Sequence, residues 1–159
     1  LSMQPECYSS RRPNSASIGT RAYQLALYVV FESNLQMMSD NPTLYNMYPD
    51  CRDYIAGCPV NWDETRVLAA EFGQYTVVAR RRGSKWYIGG ITNETARDIT
   101  VKLDFLTEGK SYRTTSFTDA VNSAKQAMDY RKKEGQTKKG DALSIHMVRN
   151  GGFAAVLEP

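Results

Sequence analysis

Three kinds of side chain in this sequence could do chemistry: adjacent carboxylates, a lone histidine and three cysteines. Asp63 and Glu64 stand in the run Trp62-Asp63-Glu64-Thr65-Arg66-Val67-Leu68. Two carboxylates can cleave a glycosidic bond, one as acid and the other as base or nucleophile, if they face each other across it. Neighbours on a strand point to opposite faces, so this pair is not expected to share one site. Bonds to local backbone or to an arginine such as Arg66 are the expected use. His146 could act as a base, but no nucleophile is placed for it by motif, and it falls on the polar face of its strand. Cys7 has no visible activating partner. Cys51 and Cys58 could pair across a short loop in an oxidising compartment, although an odd cysteine count argues against a disulfide framework. Zinc would need a fuller ligand set, and His146 is distant in sequence. The residues therefore assign no catalytic, cofactor-binding or metal site.

Binding chemistry is the next possibility. Trp62, Tyr75, Trp86, Tyr87 and Tyr112 could stack on the apolar faces of sugars, as in a carbohydrate-binding module. Alternation sends Trp86 and Tyr87 to opposite faces, so core packing is the expected role of most of them. Gly89-Gly90 and Gly151-Gly152 do not sit between a strand and a helix as a phosphate loop requires; they read as a bulge or turn. The basic runs Arg80-Arg81-Arg82, Arg131-Lys132-Lys133 and Lys138-Lys139 are interspersed with acids, and net charge is only +3. That is a solvated surface rather than a nucleic-acid footprint.

The elements that must position these residues change character along the chain. With 159 residues, 42% hydrophobic and 23% charged, the chain has the composition of a soluble globular domain. It shows no signal peptide and no apolar run long enough to span a membrane. Its opening, Leu1-Ser2-Met3-Gln4-Pro5, suggests a fragment. Residues 1–16 read as loop, and Ser17 as an N-cap. Residues 20–31 read as a helix that is apolar on every side, hence buried. Few other long helices are available to surround it, so its partner is expected to lie outside this chain, unless the helix folds back on its own sandwich. Leu35, Met37 and Met38 extend the apolar pattern until Asp40-Asn41-Pro42 stops it. Two short helices, 42–47 and 49–56, each start with proline. From Asn61 the period becomes two. Strands are expected near 62–71, 74–82, 85–92, 96–104, 110–118, 126–132, 142–148 and 152–157, with a polar loop at 134–141. About eight antiparallel strands with regular turns predict a β-sandwich.

Several runs in this order resemble the C-terminal end of family 97 glycoside hydrolases, the bacterial α-glucosidase and α-galactosidase type. Gly19-Thr20-Arg21-Ala22-Tyr23-Gln24-Leu25-Ala26, then Val29-Val30-Phe31-Glu32-Ser33 and Leu35-Gln36-Met37, is similar to that family's last barrel helix. Trp62 to Leu68 is similar to the start of its C-terminal sandwich. Ala79-Arg80-Arg81, Trp86-Tyr87-Ile88-Gly89-Gly90 and Gly151-Gly152-Phe153-Ala154 match its later strands. Tyr23 stands where histidine is expected, Asn34 where proline is, and Arg149-Asn150 replaces a small-residue and proline turn. The resemblance implies that residues 1–58 are the final loop, last helix and short helices of a truncated (β/α)8 barrel, and 59–159 a C-terminal β-sandwich. It places the catalytic carboxylates and calcium ligands of the parent before Leu1, and Cys7 to Ser15 near its substrate site. Such a fragment would be non-catalytic and would hold no cofactor. It would brace the missing barrel, whose substrate is an oligosaccharide, and form a homo-oligomer, in a periplasmic setting. The rival reading is a free-standing carbohydrate-binding module.

Overall fold

The computed structural model describes residues 18–38 and 42–159. Among the described residues, three helices, α1 (Arg21–Val30), α2 (Pro42–Met47) and α3 (Pro49–Gly57), precede eight strands. These are β1 (Glu64–Glu71), β2 (Tyr75–Arg82), β3 (Lys85–Thr92), β4 (Arg97–Lys102), β5 (Ser111–Asp119), β6 (Tyr130–Lys138), β7 (Ala142–Met147) and β8 (Gly152–Glu158). The cap of α1 is Thr20, whose hydroxyl accepts the Tyr23 N–H at 3.1 Å, satisfying one of the helix's first donors. The expected cap Ser17, like Cys7 and the 1–16 loop, lies outside the described residues. Pro49 starts α3, where its missing N–H costs nothing.

Every strand pairing is antiparallel. One sheet has six strands in the order β1-β2-β3-β8-β5-β6, and a second consists of β4 and β7. Strand alternation divides the apolar residues between two cores. On one face Val77, Ala79, Trp86, Ile88, Phe153 and Leu157 pack against Val101, Leu103, Ile145 and Met147 from the small-sheet side. On the other face Val78, Tyr87, Phe117 and Ala154 pack against Leu25, Ala26 and Val29 of α1 and Tyr54 and Ile55 of α3. The β-sandwich expected from period-two patterning is present, with a third, helical layer on its larger sheet.

That helical layer corrects one expectation. The apolar helix finds its partner inside this chain: Ala22, Leu25, Ala26 and Val29 are fully buried, and α1 lies mainly across β3 and β8. Two glycines permit the approach. A Cβ at Gly89 would stand 2.9 Å from both the Ala26 carbonyl oxygen and the Val29 Cβ, and one at Gly152 would stand 2.4 Å from the Tyr23 Cα. Gly89 and Gly90 are therefore not a bulge. They sit in unbroken register in β3, where close backbone approach demands glycine. The bulge is in β1, where the register shifts between Val67 and Ala69. Gly151 does belong to a turn, donating to the Val148 carbonyl at 2.7 Å.

A second correction concerns β6. The expected strand 126–132 and loop 134–141 are replaced by one strand over Tyr130–Lys138, paired to β5 from Asp119↔Tyr130 to Ser111↔Lys138. Nearly all of β6 is exposed. An outer strand with no buried face carries no alternation to read, and its lysines suit an unprotected sheet edge.

Candidate functional site

The Trp62–Leu68 run forms a clasp at the start of β1. Asp63 precedes the strand, so strict alternation does not govern it. Its Oδ2 accepts the Gly83 N–H at 2.7 Å, and its Oδ1 accepts Arg82 Nη1 at 2.9 Å. Glu64 accepts Arg66 Nε at 2.6 Å and Arg81 Nε at 3.1 Å. Arg81 Nη1 also lies 3.8 Å from Asp63. The two carboxylates thus do meet, at one guanidinium, contrary to the expected separation. Their use is nonetheless the expected one, bonding to local backbone and to arginines including Arg66. The Gly83 N–H, with Arg82 behind it, holds the Asp63 carboxyl below its usual range. Arg66 and then Arg81 do the same for Glu64. A glycosidase acid needs a raised pKa; this pair has the opposite.

The aromatic candidates divide between the two cores. Trp86 is buried on the small-sheet side against Phe105, with centroids 4.5 Å apart. Tyr112 is buried in that same core. Tyr87 is buried on the helical side, where Trp62 meets it edge-on at 5.3 Å. Tyr75 lies apart, with Arg97 over its ring at 5.3 Å. No shared stacking face exists among these five. His146 is exposed on β7, its Nδ1 2.6 Å from Asp98, its cross-strand neighbour. Cys51 and Cys58 are both free and buried. They stand seven residues apart along α3 and its C-cap, about 10 Å of helical rise, beyond disulfide reach. Burial raises the Cys51 thiol to about 11 and the Cys58 thiol to about 12, far from the thiolate state that reactivity requires.

Two arrangements have little trace in the sequence. The first is a polar junction at the start of α1. The buried Arg21 guanidinium lies 3.8 Å over the Tyr48 ring and 5.2 Å from that of Tyr130. The Tyr130 hydroxyl reaches both Asp50 oxygens at 2.8 Å. Nearby, buried Asp119 accepts the Val148 N–H at 3.0 Å and the Gly152 N–H at 3.1 Å. Burial raises the Asp119 carboxyl, with Thr20 and these two amides acting against the rise. The one signal for this junction is a charged residue, Arg21, inside an apolar helix. The second arrangement is the turn between β1 and β2. Gln74 donates to the Glu71 carbonyl at 3.0 Å, and Gly73 takes φ +71°. Phe72 is fully exposed at its tip, beside a cleft of about 420 Å³ lined by Tyr23, Ala70, Tyr75 and Ile91 among others.

These features define a three-layer, helix-on-sandwich domain whose charged motif fastens strands together. Its relatives agree. Residues 61–158 match the family model described as "Glycosyl-hydrolase 97 C-terminal, oligomerisation", and the chain belongs to that family. It is 46% identical over 148 residues to a retaining α-galactosidase of Bacteroides thetaiotaomicron, covering 93% of this chain and 22% of the relative. It is 35% identical over 147 residues to a probable retaining α-galactosidase of Streptomyces bingchenggensis, covering 92% and 21%. A glycoside hydrolase family 97 enzyme from Pseudoalteromonas sp. strain K8, solved with panose, superimposes with a TM-score of 0.84 at 33% identity, covering 88% of this chain and 22% of that one. The chain thus spans about one fifth of the length of the relatives it matches.

Proposed function

We propose that this chain is the non-catalytic C-terminal part of a family 97 α-galactosidase, bracing the barrel of the parent and joining copies of it together. The observation that carries this reading is 46% identity across nearly the whole chain to a retaining α-galactosidase, of which it covers only 22%. The bracing role is supported by the large apolar side chains left exposed around and beyond α1: Ile18, Phe31, Leu35, Met37 and Met47. A surface of that kind on the helical layer suits the rest of a barrel. Self-association is supported by the family description. Galactoside in preference to glucoside specificity is supported by the names of both α-galactosidase relatives. A periplasmic setting rests on family resemblance.

Calcium is assigned by the resemblance to the parent, not to this chain. Among the described residues no group of three or more His, Cys, Asp or Glu side chains is placed to hold a metal. No step is assigned to it in this chain.

The test is hydrolysis of nitrophenyl α-galactoside and α-glucoside by the purified chain. The expected result is no turnover. Turnover that co-purifies with the chain and disappears in Asp63→Asn or Glu64→Gln would sink the reading. The rival, a carbohydrate-binding module, calls for a shared aromatic face. Trp86, Tyr87 and Tyr112 are instead buried, and half-buried Trp62 is turned edge-on to Tyr87, so an oligosaccharide should leave tryptophan fluorescence unquenched.

A further inference from the structure

Of the three large exposed apolar side chains on the sandwich, Val67 and Phe72 fall on one strand and its turn, while Val121 stands apart in the loop after β5. Val67 is 65% exposed and Phe72 is fully exposed, on β1 and the turn that ends it. Val67 lies opposite Val78, which belongs to the helical-side core, so both valines share that face. There α1 covers the middle of the sheet and leaves the β1 side open. Phe72 stands at the rim of this strip and lines one cleft together with Tyr23, Ala70, Tyr75 and Ile91.

A phenylalanine at the tip of a turn is an unusual choice, and this turn is held rigidly. The Asn93 N–H donates to the Gln74 carbonyl at 2.8 Å. Asn93 Nδ2 donates to the Gly73 carbonyl at 3.2 Å. Arg97 Nη2 donates to Gln74 Oε1 at 2.6 Å, and Arg97 Nη1 ties the same segment to Asn93 Oδ1 at 2.7 Å. A turn whose backbone is fixed before binding loses little backbone entropy when the aromatic side chain it carries docks. Such anchors, seated in pockets, carry most of the energy of protein interfaces.

We infer that Phe72 and the adjoining Tyr23–Ala70–Tyr75–Ile91 cleft form a self-complementary interface, taking a second copy of this chain. The inference rests on the self-association reading above. The family match carrying the oligomerisation description covers residues 61–158, which include Phe72 and exclude the exposed set from Ile18 to Met47. Phe72 is itself part of the cleft wall, so anchor and cleft belong to one patch, and a twofold axis through it would set each copy's Phe72 against the other's cleft, as an isologous contact requires. The opposite edge of the sheet is a poorer candidate. There Arg131, Lys132, Lys133 and Lys138 are concentrated on β6, a composition that discourages edge pairing.

Sedimentation velocity of the 159-residue chain across a concentration series tests this, with Phe72→Glu, Phe72→Ser and Met37→Glu alongside wild type. Wild type should show a concentration-dependent dimer. Both Phe72 variants should weaken it by roughly thirtyfold or more while keeping the wild-type circular dichroism and melting curve. Met37→Glu, on the other apolar surface, should dimerise normally. Phe72 variants that dimerise like wild type would overturn this interface and leave self-association standing. So would a dimer that Met37→Glu alone breaks. Loss of fold in both Phe72 variants would show that the side chain is packed within its own chain, and would also overturn it. A wild type that stays monomeric throughout would overturn the self-association reading itself.

Discussion

Gly89→Ala should separate α1 from the sheet it rests on. The added methyl would meet the Ala26 carbonyl oxygen and the Val29 Cβ at 2.9 Å, and Val30 Cγ2 at 3.1 Å. The first two cannot rotate away, because one is backbone and the other is the root of its side chain. The helix must lift or the strand must bend, and overpacking of this sort costs about 1–3 kcal/mol. At about 2–4 °C per kcal/mol for a chain of this size, the melting temperature should fall by roughly 2–12 °C. Gly135→Ala is the matched control. It lies in a strand too, on exposed β6, and a Cβ there would meet nothing within 4 Å. That substitution should be neutral or stabilising by about 0.5–1 kcal/mol, since glycine weakens a strand through its entropy. Urea unfolding gives the two stabilities, and amide hydrogen exchange over Leu25 to Val29 reports whether α1 opens locally. If Gly89→Ala matches Gly135→Ala in both measurements, the close docking of α1 is wrong.

The buried carboxylate and the buried thiols give two more tests. The folded-state pKa of Asp119 is raised above 3.8 by burial, so its contribution to stability is present in full below that value and is lost as pH rises through the folded pKa. Asp119→Asn should flatten this part of the stability–pH curve measured by urea unfolding, and an unchanged slope would contradict the burial effect. Asp119→Ala should cost about 1–3 kcal/mol by stranding the Val148 and Gly152 amides, with the larger loss at low pH, where the raised pKa adds to what Asp119 contributes. Cys51 and Cys58 should resist iodoacetamide at pH 8 in the folded protein and react readily in denaturant; mass spectrometry of the native protein should find both as free thiols.

How far the sequence can be read depends on whether a strand has a buried face. Val101 and Ile145 lie buried between exposed neighbours such as Thr100, Lys102, Ser144 and His146, and β4 and β7 fall close to where period-two patterning puts them. The β6 segment Tyr-Arg-Lys-Lys-Glu-Gly-Gln-Thr-Lys has no such contrast, because only its backbone joins the sheet, so much of its ladder reads as a loop. The helix α1 reads correctly as buried, but its partner lies in this chain rather than outside it. The reason is that Gly89 and Gly152 look like punctuation in one dimension and become a docking groove in three. The clasp is visible as a motif, and its arginine partners are half visible: Arg66 lies two residues away, whereas Arg81 and Arg82 reach it only through the β1–β2 pairing. Asp119 is invisible, since it is tied to Val148 and Gly152 across about thirty residues. Phe72 gives no signal, because a lone apolar residue between strands has no periodicity to mark it.

The place of β8 in the sheet also sets a timetable. Gly152–Glu158 lies between β3 and β5, so these two inner strands lack a shared neighbour until the last segment of the sheet has left the ribosome. The helix is made first, and much of the surface that buries it is made last. On a translating ribosome, α1 emerges more than fifty residues before β3 and more than a hundred before β8, so the cover over Leu25 and Val29 is completed only when β8 arrives. During that interval it is open to chaperones, or to whatever apolar surface has already emerged before it.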